Sequence, residues 1–232
     1  QELLSSEGCH HQLIPCNDRP TTIKTRVIAR NEHLLRVDFE STLPIDSEAT
    51  HQVKEAFDSA LSTFQPEIVI LQDYNKGLLT SEIIKYVVDK CRAKAIFVAV
   101  DPKKDNFWEY KNVTLFKPNL RETEEAFAES FSTLSARIEA SHRLHEQLNC
   151  QFTALTLGGD GLILNDGNDA VHRVAAAIEV IDVCGAGDAV LTIMSLMLFK
   201  KYALADVAEM ANIVGGKVCQ ISGVAVVGLS DF

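Results

Sequence analysis

The segment Ile181-Asp182-Val183-Cys184-Gly185-Ala186-Gly187-Asp188 runs directly into an apolar stretch. Gly185 and Gly187 permit a tight turn whose backbone N–H groups converge where a helix would begin. Such a terminus holds phosphate through its unpaired N–H groups and the helix dipole. Asp188, in the same first turn, could take a proton from an attacking hydroxyl. It could equally do no more than favour the positive end of the helix. The segment is neither a GxxxxGK[ST] loop nor a GxGxxG fingerprint. Three further polar groupings follow short apolar runs. Asp73-Tyr74-Asn75-Lys76-Gly77 supplies a carboxylate and an ammonium. Lys117-Pro118-Asn119-Leu120-Arg121-Glu122 places Asn119 and Glu122 at i, i+3 on a helix start, a spacing that suits a hydrated Mg²⁺ or a plain N-cap. Thr156-Leu157-Gly158-Gly159-Asp160-Gly161 is a glycine-rich turn. Together the four predict a polar crevice for an anionic, nucleotide-like ligand.

The elements that must position these groups follow from periodicity. Thr21–Arg30 and His33–Phe39 read as two strands joined at Asn31-Glu32. Alternation puts Lys24, Arg26 and Arg30 on one face, either a solvated edge or a basic strip for an anionic substrate. Glu48–Phe64 reads as a helix. From Pro66 onward short apolar runs alternate with amphipathic helices: Ile68–Leu71, a helix over Ser81–Cys91, Ile96–Val100, Thr114–Phe116, a helix opening near Asn119 and another over Thr133–Leu148. Phe152–Leu157, Gly161–Leu164 and Val171–Val174 are the next strands, and helices over Ala186–Lys200 and Ala205–Ile221 close the chain. This rhythm predicts an α/β fold of βαβ units on a mostly parallel sheet, with the site at the strands' C-terminal ends. Residues 1–40 are expected to form a β lid with part of the core, and residues 41–232 an α/β nucleotide-binding core.

Composition narrows the function further. Apolar residues are 47% and charged residues 23% of the 232, ordinary globular proportions. The net charge of −10 argues against broad binding of nucleic acid, which needs a basic surface. No apolar run nears the roughly 18–20 residues of a membrane helix. The start has no basic and apolar leader, so no signal peptide is expected and a cytoplasmic protein is. The six cysteines form no CxxC pair and read as free thiols. Cys9, His10 and His11 have no second half with which to hold a metal.

Asp182-Val183-Cys184-Gly185-Ala186-Gly187-Asp188 resembles the C-terminal signature of the ribokinase-like (PfkB) carbohydrate kinases, with Cys184 where Thr or Ser is usual. The Asn119–Glu122 and Thr156–Gly161 elements resemble that family's motifs in position and order. Arg19-Pro20-Thr21-Thr22-Ile23-Lys24-Thr25-Arg26, Leu35-Arg36-Val37-Asp38, Asp73-Tyr74-Asn75-Lys76-Gly77 and Asp101-Pro102-Lys103-Lys104 look like its branch acting on D-glycero-β-D-manno-heptose 7-phosphate. The resemblance implies a ribokinase-like three-layer sandwich with a small β lid. It also implies that the family's first, glycine-rich sugar-binding segment is missing. The implied reaction transfers the γ-phosphoryl group of ATP to the anomeric hydroxyl of that phosphosugar, giving the 1,7-bisphosphate, a step toward ADP-heptose and the lipopolysaccharide core. Asp188 would be the base and the Gly185, Ala186 and Gly187 amides the anion hole. Asn119 and Glu122 would organise Mg²⁺ through water, and Thr156, Gly158, Gly161 and Asn212 would line the ATP site. Lys24, Arg26, Arg30 and Lys76 would meet substrate phosphate. A homodimer through the β lid would suit the family. Two other readings stay open: a ribokinase-like kinase of another sugar or nucleoside, and a nucleotide-binding remnant without turnover.

Overall fold

Capping residues and short apolar runs set the elements in the computed structural model, which describes residues 2–16, 19–29 and 32–223. The chain groups into two compact units, Gln1–Gln65 with Asn75–Val87, and Pro66–Tyr74 with Val88–Phe232.

The first unit holds the short helix α1 (Glu2–Ser6), the antiparallel pair β1 (Ile23–Ala29) and β2 (Glu32–Phe39), and helix α2 (Ser47–Phe64). Asp46 caps α2 by accepting a 2.7 Å hydrogen bond from the Ala49 N–H. Arg19 ties the unit together: its guanidinium donates to the carbonyls of Ser41, Leu43 and Lys76. Beside it Gly77, at φ 74°, packs so tightly on Leu43 that a Cβ would collide with the Leu43 carbonyl. Cross-strand register sets Lys24 against Asp38 and Arg26 against Arg36, with an irregularity after Val27. The opposite face of the pair is apolar and open: Ile23, Val27, Leu35, Val37 and Phe39 are all exposed. A two-stranded ribbon with such a face is marginal by itself in water.

The second unit is a six-stranded sheet in sequential order: β3 (Ile68–Gln72), β4 (Phe97–Asp101), β5 (Leu115–Phe116), β6 (Phe152–Thr156), β7 (Leu162–Asn165) and β8 (Ala170–Arg173). The first four strands are parallel, and two hairpins add β7 and β8 antiparallel. Helix α3 (Ser81–Ala93) connects β3 to β4, while α4 (Leu120–Phe127) and α5 (Leu134–Leu148) connect β5 to β6. Helices α6 (Ala186–Phe199) and α7 (Leu204–Cys219) follow β8. Period-two alternation splits the sheet faces. Phe97, Ala99, Leu115, Ala154, Leu162 and Leu164 meet Leu191 and Met194 of α6 and Ala208 and Ala211 of α7. Leu155 and Ile163 face the other way, onto Leu120 and Ile138. The unit is therefore three-layered, as expected. Buried on both faces, the inner parallel strands read as continuous apolar runs, and all five residues of β4 are buried, whereas the edge strand β3 is only partly so.

Candidate active site

Where β3, β4 and β5 end, three charged side chains are buried although nothing apolar requires them there. Asp73, Asp101 and Lys117 are 2%, 7% and 3% exposed. Buried charges need partners, and each has one. Asp101 Oδ2 accepts from Gln72 Nε2 at 2.9 Å and Lys117 Nζ at 3.3 Å, and its Oδ1 accepts from Lys103 Nζ at 3.2 Å. Asp73 Oδ2 accepts from the Tyr110 hydroxyl at 2.7 Å. Burial, reinforced by Asp73, holds the Tyr110 phenol far above its usual range, so it stays a donor.

Helix α6 starts against this network. Its N-cap is Gly185, at φ 81°, a conformation that glycine adopts without strain. No side chain caps this end, and the N–H groups of Gly187 and Asp188 have no acceptor within the helix. A Cβ on Gly187 would lie 3.7 Å from Lys117 Nζ and 3.8 Å from Asp101 Oδ2, so a buried ammonium lies close to the turn. Asp188 is exposed in the first turn of the helix. Burial and the negative charges of Asp188 and Asp101 raise the Tyr74 phenol, with Lys103 acting the other way. Upstream, Asp182 anchors the turn, taking the Cys184 N–H at 3.0 Å. Cys184 itself is exposed.

Asn119 and Glu122 form a reciprocal capping box. Asn119 Oδ1 accepts from the Glu122 N–H at 2.8 Å, and Glu122 Oε2 accepts from the Asn119 N–H at 2.9 Å. The remaining oxygen, Glu122 Oε1, takes Lys103 Nζ at 2.5 Å. Burial works against the Lys103 charge, but Glu122 and Asp101 outweigh it and hold the ammonium above the usual lysine range. As they stand, these two residues do not fit magnesium: both carboxylate oxygens are engaged, and a cation is already beside them. Among the described residues no group of three or more His, Cys, Asp or Glu side chains is arranged to hold a metal.

The glycine-rich turn divides into two parts. Thr156 pairs as a parallel bridge with Asn119, and its N–H donates to the Pro118 carbonyl at 3.0 Å. Gly158 is exposed, with open space where a Cβ would stand. Gly161, at φ 88°, is buried, and a Cβ there would come within 1.9 Å of the Arg173 carbonyl oxygen. Asn212 Nδ2 donates to the same carbonyl at 2.8 Å, so Gly161 and Asn212 converge on Arg173.

The predicted phosphosugar contacts belong to the first unit. Lys24 lies 3.7 Å from Asp38, and Lys76 pairs with Glu40. Arg26 faces Arg36 across the ribbon, and Arg36 Nε lies 3.1 Å from Asp38 Oδ1, so that like-charge pair already has a carboxylate beside it. Arg30 lies outside the described residues. Sequence reasoning did not single out Tyr74, Tyr110, Lys117 or Arg36 as functional. The available signal for Lys117 and Asp101 was a charge directly after an apolar strand run, where only a site or a buried pair would place one. Volume would have misled: a cleft of about 760 Å³ lies at the opposite strand ends, lined by Phe97, Thr114 and Phe152.

Comparison with known proteins converges on one family. The sequence pattern of the pfkB family of carbohydrate kinases matches residues 1–229. The chain is 35% identical to the bifunctional protein HldE of Helicobacter hepaticus over 92% of its length, covering 44% of that protein. It is 35% identical to HldE of Caulobacter vibrioides over 97% of its length, covering 46%. It thus spans less than half the length of these relatives. Among solved structures, phosphofructokinase-2 of Escherichia coli in complex with potassium superposes with a TM-score of 0.83 at 16% identity, over 99% of this chain and 74% of that one. Arabidopsis thaliana ribokinase complexed with ribose and ATP superposes with a TM-score of 0.67 at 16% identity, over 90% and 66%.

Proposed function

The chain belongs to the pfkB family of carbohydrate kinases, and from that premise we propose that it transfers the γ-phosphoryl group of ATP to the anomeric hydroxyl of D-glycero-β-D-manno-heptose 7-phosphate. The observation carrying the phosphoryl-transfer reading is the start of α6, where unpaired N–H groups, the nearby Lys117 ammonium and the exposed Asp188 carboxylate share one turn. Phosphoryl transfer asks mainly for positioning and charge stabilisation. Asp188 takes the proton of the acceptor hydroxyl, whose oxygen bonds to the γ-phosphorus. The bond to the β–γ bridging oxygen breaks, and ADP leaves with its electron pair. The Gly185 and Gly187 amides and Lys117 receive the charge on the transferring group, joined by the Ala186 amide once it leaves the Val183 carbonyl, to which it donates at 3.3 Å. Thr156, Gly158, Gly161 and Asn212 line the nucleotide side.

The choice of acceptor rests on the HldE relatives and on the branch motifs in the sequence, while a kinase of another sugar remains the second reading. Lys24 and Arg26 supply donors for the 7-phosphate. The exposed apolar face of β1 and β2 supports a homodimer through this ribbon. In a catalytically active preparation, Asp188→Asn should lower turnover by about 10²–10⁴-fold while leaving ATP affinity in place. Turnover within about threefold of the parent would remove Asp188 from the chemistry.

A further inference from the structure

Lys103 holds three acceptors at once: Glu122 Oε1 at 2.5 Å, Asp101 Oδ1 at 3.2 Å and the Pro102 carbonyl at 3.0 Å. An ammonium has three protons, and all three are used. The carboxylates it bridges come from different elements, Asp101 from the end of β4 and Glu122 from the first turn of α4. Both are largely withdrawn from water, their side chains 9% and 14% exposed, so neither is well neutralised by solvent. The other Glu122 oxygen is taken by the Asn119 N–H, and the Asn119 side-chain oxygen by the Glu122 N–H. Two carboxylates from separate elements converging on one point resemble a place for a hard divalent cation. Here that point is filled by a side chain of the chain itself.

We propose that the Lys103 ammonium is the built-in counter-cation of the Asp101–Glu122 pair, so that the nucleotide-free chain has no divalent-metal site there and metal arrives only together with nucleotide. The idea rests on the kinase reading only for its second half. A fixed positive charge between two carboxylates repels a second cation and occupies the oxygens that would bind it. A polyphosphate changes that balance, because it brings new acceptors for the ammonium and carries its own metal. Lys103 is thus a positioning residue that decides when the cation place becomes available.

The test uses Mn²⁺ as a spectroscopic probe on the nucleotide-free protein, with free and bound ion separated by electron paramagnetic resonance. Wild type should bind no Mn²⁺ at this place. Lys103→Met, which keeps the stem and removes the charge, should gain a single site at least about tenfold tighter than any Mn²⁺ binding by wild type, held chiefly by Glu122 because Lys117 still pairs with Asp101 Oδ2. Adding Glu122→Gln to that variant should abolish the gain. Wild-type binding as tight as that of Lys103→Met would overturn the proposal, and so would a gained site that survives Glu122→Gln. The wild-type arm needs no substitution, so it stands even if a variant folds poorly. No arm involves turnover: failure of phosphoryl transfer would count against the kinase reading and leave these results standing.

Discussion

Lys117→Met isolates the buried charge beneath the α6 turn. Methionine keeps much of the unbranched stem and deletes only the ammonium, which is 3.3 Å from Asp101 Oδ2 in a residue 3% exposed. Removing one partner of a buried ion pair typically costs about 3–5 kcal/mol, because the survivor is left uncompensated. Asp101 is not left bare, since Gln72 and Lys103 still donate to it. The expected loss is therefore at or slightly below the lower end, about 2–3 kcal/mol. The assay is urea unfolding followed by fluorescence of Trp108, the chain's single tryptophan, which packs edge-on against Phe107 and Phe127 in the same unit. Lys117→Met/Asp101→Asn should recover at least about 1 kcal/mol of the summed single losses, because the partner that was stranded is now neutral. A single-variant loss under about 0.5 kcal/mol, the scale of an ordinary surface change, would show that the ammonium and Asp101 do not depend on each other.

Gly161→Ala should cost more than about 2 kcal/mol in the same unfolding assay, since its φ is 88° and a Cβ meets backbone of Arg173 and Ala175, whereas Gly158→Ala, at φ 61° with open space around it, should cost less; equal losses would refute the close-approach argument. Burial raises the Cys91 thiol from 9.0 to about 11. The folded chain then holds that proton more tightly than the unfolded one, so the contribution to stability is full below pH 9 and lost as pH rises toward 11. Cys91→Ala should flatten the alkaline decline across that window in urea midpoints taken at stepped pH, and an unchanged decline would remove the thiol as its cause. Arg26→Ala should raise the Michaelis constant for the phosphosugar by roughly tenfold or more, on the scale of one charge-assisted hydrogen bond, and leave that for ATP in place; a proportional change in both would point to a fold defect instead.

Much of the architecture was legible because the second unit obeys two simple periods. Apolar runs such as Ile68–Leu71 and Ile96–Val100 lie within a residue of β3 and β4, and the helix read over Thr133–Leu148 begins and ends as α5 does, with Thr133 as its cap. The Gly185–Gly187 turn was legible as a helix start because glycines before an apolar run permit the tight turn that opens α6. What was not legible is pairing through space. Nothing in the order of residues says that Lys103 reaches Glu122, or that Tyr110 reaches Asp73, because such contacts depend on how parallel strand ends line up. The Asn119–Glu122 spacing was ambiguous for a physical reason: a capping box and a metal-organising pair need the same residue types at i, i+3, and the structure forms the former. The basic alternation of Lys24 and Arg26 was visible, but their partners Asp38 and Arg36 are set by cross-strand register.

Where the γ-phosphoryl group goes tests the kinase reading most directly. Phosphorus NMR on a mixture of ATP, Mg²⁺, the chain and D-glycero-β-D-manno-heptose 7-phosphate follows every phosphoryl group at once. The account predicts that the ATP γ resonance falls as an anomeric phosphate appears on a sugar that keeps its 7-phosphate, and that Asp188→Asn suppresses the exchange. Phosphorylation of fructose 6-phosphate or ribose in preference to the heptose, or equal product from Asp188→Asn, would contradict it.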